Sequence, residues 1–276
     1  MKKKNNLIQL SSKDTTVDAF KNNIFDGKIL LIKNSKEIYK IIELAEYYFY
    51  YFFNSEITNS EKQKINYNKE NPIFFEIIQN RIKFCKLIRK YFANFLLHIG
   101  LDIQDTFMDY ITFRYSPATG MKNIGTLIPT AAHRDTWASN IFNQINFWFP
   151  IHNVSDRNSI FFVPNYFKKR VSNNSDEWSF YHYKKTKKFL STPVSYIKFP
   201  KNEIVSFNVK KGEVLCFSGH HIHGSLVGEN DRLNLETRIV CDNDEETYKI
   251  PVNLDAMGNI RKNKWFKNLK TGKSYI

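Results

Sequence analysis

Two histidine-bearing stretches carry the residues best able to do chemistry. His133-Arg134-Asp135, within AHRDTWASN (132–140), sets an imidazole and a carboxylate two positions apart. In an extended strand residues i and i+2 point to one face, so these two side chains form adjacent legs of a metal site. GEVLCFSGHHIHGS (212–225) brings three more histidines, His220, His221 and His223, directly after an apolar run. Two imidazoles and one carboxylate are the facial set that holds Fe(II) while leaving positions open for oxygen and a second ligand. RLNLETR (232–238) follows. Strand alternation puts Arg232, Asn234, Glu236 and Arg238 on one face, which is costly to bury without anions or hydrogen-bond partners. Arginine clamps a carboxylate through two parallel hydrogen bonds, so this face suits a dicarboxylate such as 2-oxoglutarate.

His133 to Asn140 also fits H-R-D-x-x-x-x-N, the catalytic-loop pattern of protein kinases. The remaining kinase parts are missing. The chain has 10 glycines, no G-x-G, no D-F-G and no A-P-E, so nothing covers the phosphates or holds their metal. The kinase reading is rejected.

The elements that must position these residues fall into two parts. KILLIK (28–33) follows an Asp-Gly turn and reads as a strand after a loose lead-in over 1–23. Asn34 or Ser35 caps a helix whose Ile38, Ile41, Ile42, Ala45, Tyr48, Phe49 and Phe52 recur at helical spacing. A polar loop over 54–71 leads to a second helix over 72–97, ended by Gly100. From residue 108 the pattern changes to short alternating or apolar runs between Pro, Gly and Asn. Strands are expected at 108–115, 143–149, 159–163, 194–199, 204–208, 213–217 and 233–241. Many short strands punctuated by turns predict a β sandwich or barrel. The basic, aromatic stretch 165–192 is an insertion that reads equally as a solvated loop or a lid. Trp265 and Phe266 are expected to pin the tail.

The 276 residues form one large domain or two small ones. A hydrophobic content of 42% with 16% aromatic residues supports a sizeable core and excludes a disordered chain. Lys+Arg total 41 against 27 Asp+Glu, a formal charge of +14. The lysines are scattered rather than striped, which favours ordinary surface lysine over a nucleic-acid face. Three cysteines without C-x-x-C argue against a disulfide framework or zinc ribbon. The apolar run after Lys2–Lys4 is too short for a signal peptide, and no stretch approaches the roughly 18 residues of a membrane span. A cytoplasmic protein is expected, and its oligomeric state is not readable.

Five stretches together resemble the Fe(II)- and 2-oxoglutarate-dependent dioxygenases of the phytanoyl-CoA dioxygenase-like superfamily, especially the bacterial branch with streptomycin-biosynthesis-type oxygenases. They are FRYSP (113–117), AHRDTW (132–137), QINFWFPIHNVSDRNSIFFVPNYF (144–167), GEVLCFSGHHIHGS (212–225) and RLNLETR (232–238). The resemblance implies a mainly β fold with flanking helices, a double-stranded β-helix or jelly-roll barrel. It implies one oxygenase domain over 1–276. An N-terminal part (about 1–107) buttresses a barrel core (about 108–243, insertion near 165–192), followed by a tail (about 244–276). His133, Asp135 and His223 correspond to the iron ligands, with His220 and His221 beside them. Arg232 corresponds to the arginine on the distal carboxylate of 2-oxoglutarate. Arg238 resembles an arginine near the other carboxylate, and the spacing leaves the two arginines interchangeable. Gln144, Asn146 and Trp148 share a strand face expected to line the co-substrate pocket, with Thr136 and Trp137 flanking the metal. Asp135 is a carboxylate rather than the small residue of related halogenases, which favours hydroxylation.

The implied reaction joins O2, 2-oxoglutarate and a small molecule (natural-product, sugar-like or lipid-like) to give a hydroxylated product, succinate and CO2. A nucleic-acid or protein demethylase on the same fold is the alternative that the +14 charge motivates. A non-catalytic metal-binding β-barrel module is the third reading.

Overall fold

A computed structural model of the chain describes residues 7–11, 16–53, 71–118, 129–186, 190–258 and 260–275. The expected loop over 54–71 lies outside them except for Asn71.

The large sheet runs β1 (Leu7–Ser11), β2 (Ile29–Lys33), β8 (Val214–Ser218), β5 (Ile145–Pro150) and β10 (Arg232–Cys241). On the far edge of β10 two short strands lie end to end. β4 (Thr112–Ser116) pairs with Arg232–Glu236, and β3 (Thr106–Met108) pairs with Ile239–Cys241. β11 (Lys267–Asn268) closes that edge against β3. A smaller sheet, β7 (Val205–Ser206), β6 (Ile160–Phe162) and β9 (His223–Ser225), faces it.

Strand alternation divides the large sheet into two chemistries. On one face Ile145, Phe147, Phe149, Phe113, Tyr115, Leu233, Leu235 and Ile239 join the main core with the helices. On the other, Trp148, Leu215, Phe217, Ile29 and Leu31 meet Ile160, Phe162, Val205 and Phe207 between the sheets. The polar members of that inner face, Asn146, Arg232, Asn234, Glu236 and Arg238, make the site.

The helices cover the outer face: α1 (Val17–Phe25), α2 (Lys36–Phe53), α3 (Asn71–Phe84) and α4 (Lys86–His98). α2 buries Ile38, Ile41, Ile42, Ala45 and Phe49, one apolar stripe, and Ser35 Oγ accepts from Ile38 N–H at 3.3 Å to begin it. Phe147 of β5 anchors the layer. Phe92 and Phe95 of α4 meet it edge-on at 5.4 and 5.9 Å. Truncating such a residue to Ala costs about 3–5 kcal/mol.

Several expectations change. The chain is mixed α and β, not mainly β, because the helical layer is as extensive as the strands. The single helix over 72–97 is two, broken at Cys85, whose backbone is extended. Its apolar spacing continues through the break, but Phe75 stacks on Tyr115 at 4.9 Å while Phe92 packs on Phe147, and these targets lie on different strands. The lead-in over 1–23 contains β1 and the start of α1. The run 108–115 is β3 and β4 separated at 109–111. The expected strand 194–199 reduces to a bridge of Ser195 with Asn173. In the insertion a short helix α6 (Phe180–Thr186) forms, and its Phe180 meets Trp265 at 5.0 Å. Phe266 is buried with Phe107, Ile141, Val240 and Tyr275, so the tail is pinned as expected. No helix is long and apolar enough to cross a membrane among the described residues.

Candidate active site

His133 and His223 are brought together by the backbone. They form an antiparallel bridge at the edge of β9 and exchange both N–H···O bonds at 2.9 Å. Directly opposed residues of an antiparallel pair project to the same face, and here the two rings lie 4.2 Å apart. Each imidazole contacts the carbonyl two residues before it through Nδ1, His133 on Ala131 O at 2.8 Å and His223 on His221 O at 3.0 Å. With Nδ1 donating, each ring turns the lone pair of Nε2 to the site, the arrangement of metal-ligating histidines.

Asp135 supplies the carboxylate from a helix, not a strand. Arg134 is extended, so residues 133 and 135 do share a side, but α5 (Asp135–Ser139) begins at Asp135. Asp135 Oδ1 is 3.4 Å from His133 Nε2, and Oδ2 is 3.9 Å from His223 Nε2. One ligand atom from each of the three residues falls within 4.8 Å of the others, and among the described residues this is the group able to hold a metal ion.

Electrostatics favour a cation there. Burial alone would raise the Asp135 pKa, but the His133 and His223 imidazoles and the Arg238 guanidinium around it hold it well below the usual range. Burial, then the neighbouring His133, pushes the His223 pKa down to about 4 against the pull of Asp135. The trio is therefore one carboxylate and an unprotonated imidazole at neutral pH, a donor set ready for a divalent ion.

Asn146 and Gln144 serve the carboxylate. Asn146 Nδ2 donates to Asp135 Oδ2 at 2.6 Å, and Gln144 Nε2 donates to Asn146 Oδ1 at 2.8 Å. Both are expected to line a co-substrate pocket, and in the structure they are tied to the Asp135 carboxylate. Trp137 is turned away from the His133, Asp135 and His223 cluster. The helical turn carries it into a cluster with Phe161, Val163, Val171 and Ile222, where its Nε1 donates to Asp255 at 2.7 Å. Thr136 is fully buried with its hydroxyl unpartnered. Asn140, the residue that suggested a kinase, ends α5 in the left-handed region at φ 54°.

Arg134 is a residue whose role the sequence did not show. Fully buried, it donates to the carbonyls of His220 at 2.6 Å, Tyr166 at 2.7 Å, Lys169 at 2.7 Å and Phe167 at 3.3 Å. Its Nε lies 3.4 Å from Asp255. It thereby joins the His133–Asp135 turn to the 166–169 loop and the 255 segment. His220 and His221 lie beside it, their pKa values pushed by burial down to about 2 and 3. They are neutral packing groups, outside the ligand set.

At the far end of the inner face lies Arg232, only 2% exposed. Its donors are spent on Asn158 O, Ser159 O and Leu226 O, on the hydroxyls of Ser116 and Ser225 at 2.9 and 2.8 Å, and on Asn234 Oδ1. Burial lowers its pKa to about 10, opposed by the charge of Glu236. Among the described residues no carboxylate lies within ion-pair distance. Around it two buried donors have no acceptor, Trp148 Nε1 and Asn234 Nδ2. The Trp148 ring is 5.8 Å from the guanidinium. A buried cation, two serine hydroxyls and two orphaned N–H donors together call for an anion.

Arg238 is placed differently. Asp109 accepts from both its Nε and Nη2, and Trp265 and Phe266 cover it at 5.1 and 5.8 Å. It sits directly across the strand pair from Asn146.

No family model matches the chain, and no curated protein does. Solved structures do. The chain superposes on EvdO2 from Micromonospora carbonacea var. aurantiaca, in complex with 2-oxoglutarate, with a TM-score of 0.50 and 10% identity. The match covers 82% of this chain and 92% of that one. The fold is that of EvdO2. More distant matches are AviO1 from Streptomyces viridochromogenes Tue57 (TM-score 0.39, 11% identity, covering 75% and 86% of the two chains) and the apo non-heme monooxygenase ThoJ (0.35, 11%, 60% and 55%). At these identities the likeness to EvdO2 is one of architecture, and the site is argued from its own residues.

Proposed function

We propose that the chain is an Fe(II)- and 2-oxoglutarate-dependent oxygenase of the phytanoyl-CoA dioxygenase-like kind, hydroxylating a C–H bond of a small molecule. One observation carries this reading. A His-Asp-His set with pinned tautomers shares an inner sheet face with a buried arginine that has no carboxylate within ion-pair distance among the described residues. The fold shared with EvdO2, which binds 2-oxoglutarate, supports it. So does the arrangement of two facing sheets, read here as a double-stranded β-helix forming one oxygenase domain. The proposed compartment is the cytoplasm.

His133, Asp135 and His223 would hold the iron, which when bound with 2-oxoglutarate activates O2 at the cost of one decarboxylation. Arg232 holds the distal carboxylate of 2-oxoglutarate, which replaces the Ser116 and Ser225 hydroxyls as acceptor from Nη2 and takes hydrogen bonds from those hydroxyls in turn. Trp148 Nε1 and Asn234 Nδ2 are donors that the same anion satisfies. Asn146, backed by Gln144, fixes the rotation of the Asp135 carboxylate. Arg238, occupied by Asp109, supports that end of the site rather than binding the co-substrate. The apolar floor of Phe162, Leu215 and Phe217 excludes water from the co-substrate side.

The test is succinate formation from 2-oxoglutarate by purified protein, with and without Fe(II). Succinate that depends on iron and disappears in His133→Ala supports the reading. Succinate formed equally without iron, or retained in His133→Ala, defeats it.

A further inference from the structure

The charged side chains of the inner face differ in how open they are. Arg232 is sealed. Arg114, directly across from Asn234 on β4, keeps 43% of its side chain exposed, and its partner Glu236 keeps 35%. Glu236 accepts from the Nε of Arg114 at 2.7 Å, and no other hydrogen bond is formed by that guanidinium among the described residues. Nε faces inward and is tethered, so the two terminal nitrogens form the free edge of the fork. By contrast, Arg134 is spent on backbone carbonyls, Arg238 is held by Asp109, and Arg232 is sealed from the mouth of the site.

Arg114 also belongs to the metal's neighbourhood. Its anchor Glu236 lies directly across the strand pair from Trp148, one alternation from Arg238 and Asn146, and Asn146 holds Asp135. Glu236 acts most strongly on Arg114, burial opposes it, and Tyr183 of α6 and the Asp135 carboxylate lie close enough to act on it as well. Phe180 of α6, Trp265 and the covered Arg238 form an aromatic rim.

We propose that Arg114 is a substrate-recognition residue, and that the substrate carries a carboxylate or phosphate group that docks on its free edge at the mouth of the site. A planar fork with two parallel donors matches either oxyanion bidentately, which a lysine cannot do. The Glu236 tether removes rotamer freedom that binding would otherwise have to freeze. Depth separates two anion sites: the sealed Arg232 takes the co-substrate, and the open Arg114 meets the molecule to be oxidised. The inference rests on the oxygenase reading for the word substrate, whereas the anion site stands on its own geometry.

The experiment uses the full chain with Mn(II) and saturating 2-oxoglutarate under nitrogen. Benzoate and phenyl phosphate are the probes, benzamide is the neutral control, and calorimetry or ligand-observed NMR is the readout. Saturable binding of at least one anion is expected, with benzamide at least tenfold weaker. Arg114→Gln loses at least tenfold and Arg114→Lys falls between, while 2-oxoglutarate affinity stays within about twofold. Equal binding of benzamide, absence of saturable anion binding, or unchanged binding in Arg114→Gln overturns the proposal. A tenfold loss of 2-oxoglutarate in Arg114→Gln also overturns it, because Arg114 then belongs to the co-substrate pocket. If Arg114→Gln fails to melt cooperatively, Arg114→Lys carries the same comparison. Protein that binds neither Mn(II) nor 2-oxoglutarate defeats the oxygenase reading instead. The probes are then titrated into the metal-free chain, where loss in the Arg114 variants still supports the anion site and its absence still refutes it.

Discussion

Asn146 gives the sharpest quantitative handle on the metal site. Its amide donates to Asp135 Oδ2 at 2.6 Å, and Gln144 at 2.8 Å fixes which way that amide points. Removing a hydrogen bond to a charged group costs about 1.5–3 kcal/mol, and about 1.4 kcal/mol is tenfold. The expected loss of metal affinity therefore lies between about tenfold and 150-fold, overlapping the range of about 10–100-fold for outer-shell partners of metal ligands. The Asp135 side chain is 16% exposed, so in Asn146→Ala a water takes over part of the amide's role, and a loss of about 10–30-fold is expected. Asn146→Leu fills the space, admits no water and approaches a loss of about 100-fold. The assay is anaerobic competition of Fe(II) or Co(II) against a chromophoric chelator, with melting curves of each variant. Wild-type metal affinity in Asn146→Leu, in protein that melts normally, would refute the claim that this amide orients the ligand.

Arg232→Met is expected to weaken 2-oxoglutarate by about 2–5 kcal/mol, the cost of truncating one partner of a buried hydrogen-bonded charge pair; calorimetry giving less than a tenfold change would exclude Arg232 from that site. In wild type, 2-oxoglutarate at 100 times its Kd should stabilise the metal-loaded fold by about 2.7 kcal/mol, read as a rise in melting temperature that Arg232→Met abolishes. Lys21 and Asp244 form a buried pair at 2.6 Å; Asp244→Ala strands the ammonium and should cost about 3–5 kcal/mol, whereas Lys21→Met with Asp244→Leu recovers most of it, and a double variant as unstable as the single one defeats this. Burial raises the Asp244 pKa to about 6 despite Lys21. The folded chain thus holds this proton where the unfolded chain has released it, and this group's contribution to stability falls as pH rises from its ordinary value to about 6, then levels off. Denaturant melts of wild type and Asp244→Asn across that window should differ in slope, and parallel curves would rule the assignment out.

Reading the sequence singled out the three residues that the fold gathers, because metal binding constrains residue type and strand pairing constrains direction. What it could not supply was long-range. DTWAS is too short for helical periodicity to register, and Trp137, expected to flank the metal, answers instead to Asp255, 118 residues away. Arg134, between His133 and Asp135, alternates away from them, but its acceptors are backbone carbonyls, which leave no mark in composition. Asn146 was assigned to the site face, and only the arrival of Asp135 decides that it holds a carboxylate. The break at Cys85 lies inside an unbroken apolar period, because two different strands attract the two halves.

The arginines show the principle most clearly. Alternation puts Arg232 and Arg238 on the same face of β10 with equal claims to a ligand. What separates them is which carboxylate folds against each. Asp109, 129 residues from Arg238 in sequence, occupies that guanidinium, while Arg232 has only carbonyls, hydroxyls and an amide. Glu236, on that same face, is taken by Arg114 from the neighbouring strand. A periodic pattern thus tells which charges share a surface. Only the tertiary pairing of those charges tells which cation is already neutralised, which is buried without a carboxylate beside it, and which stands half open.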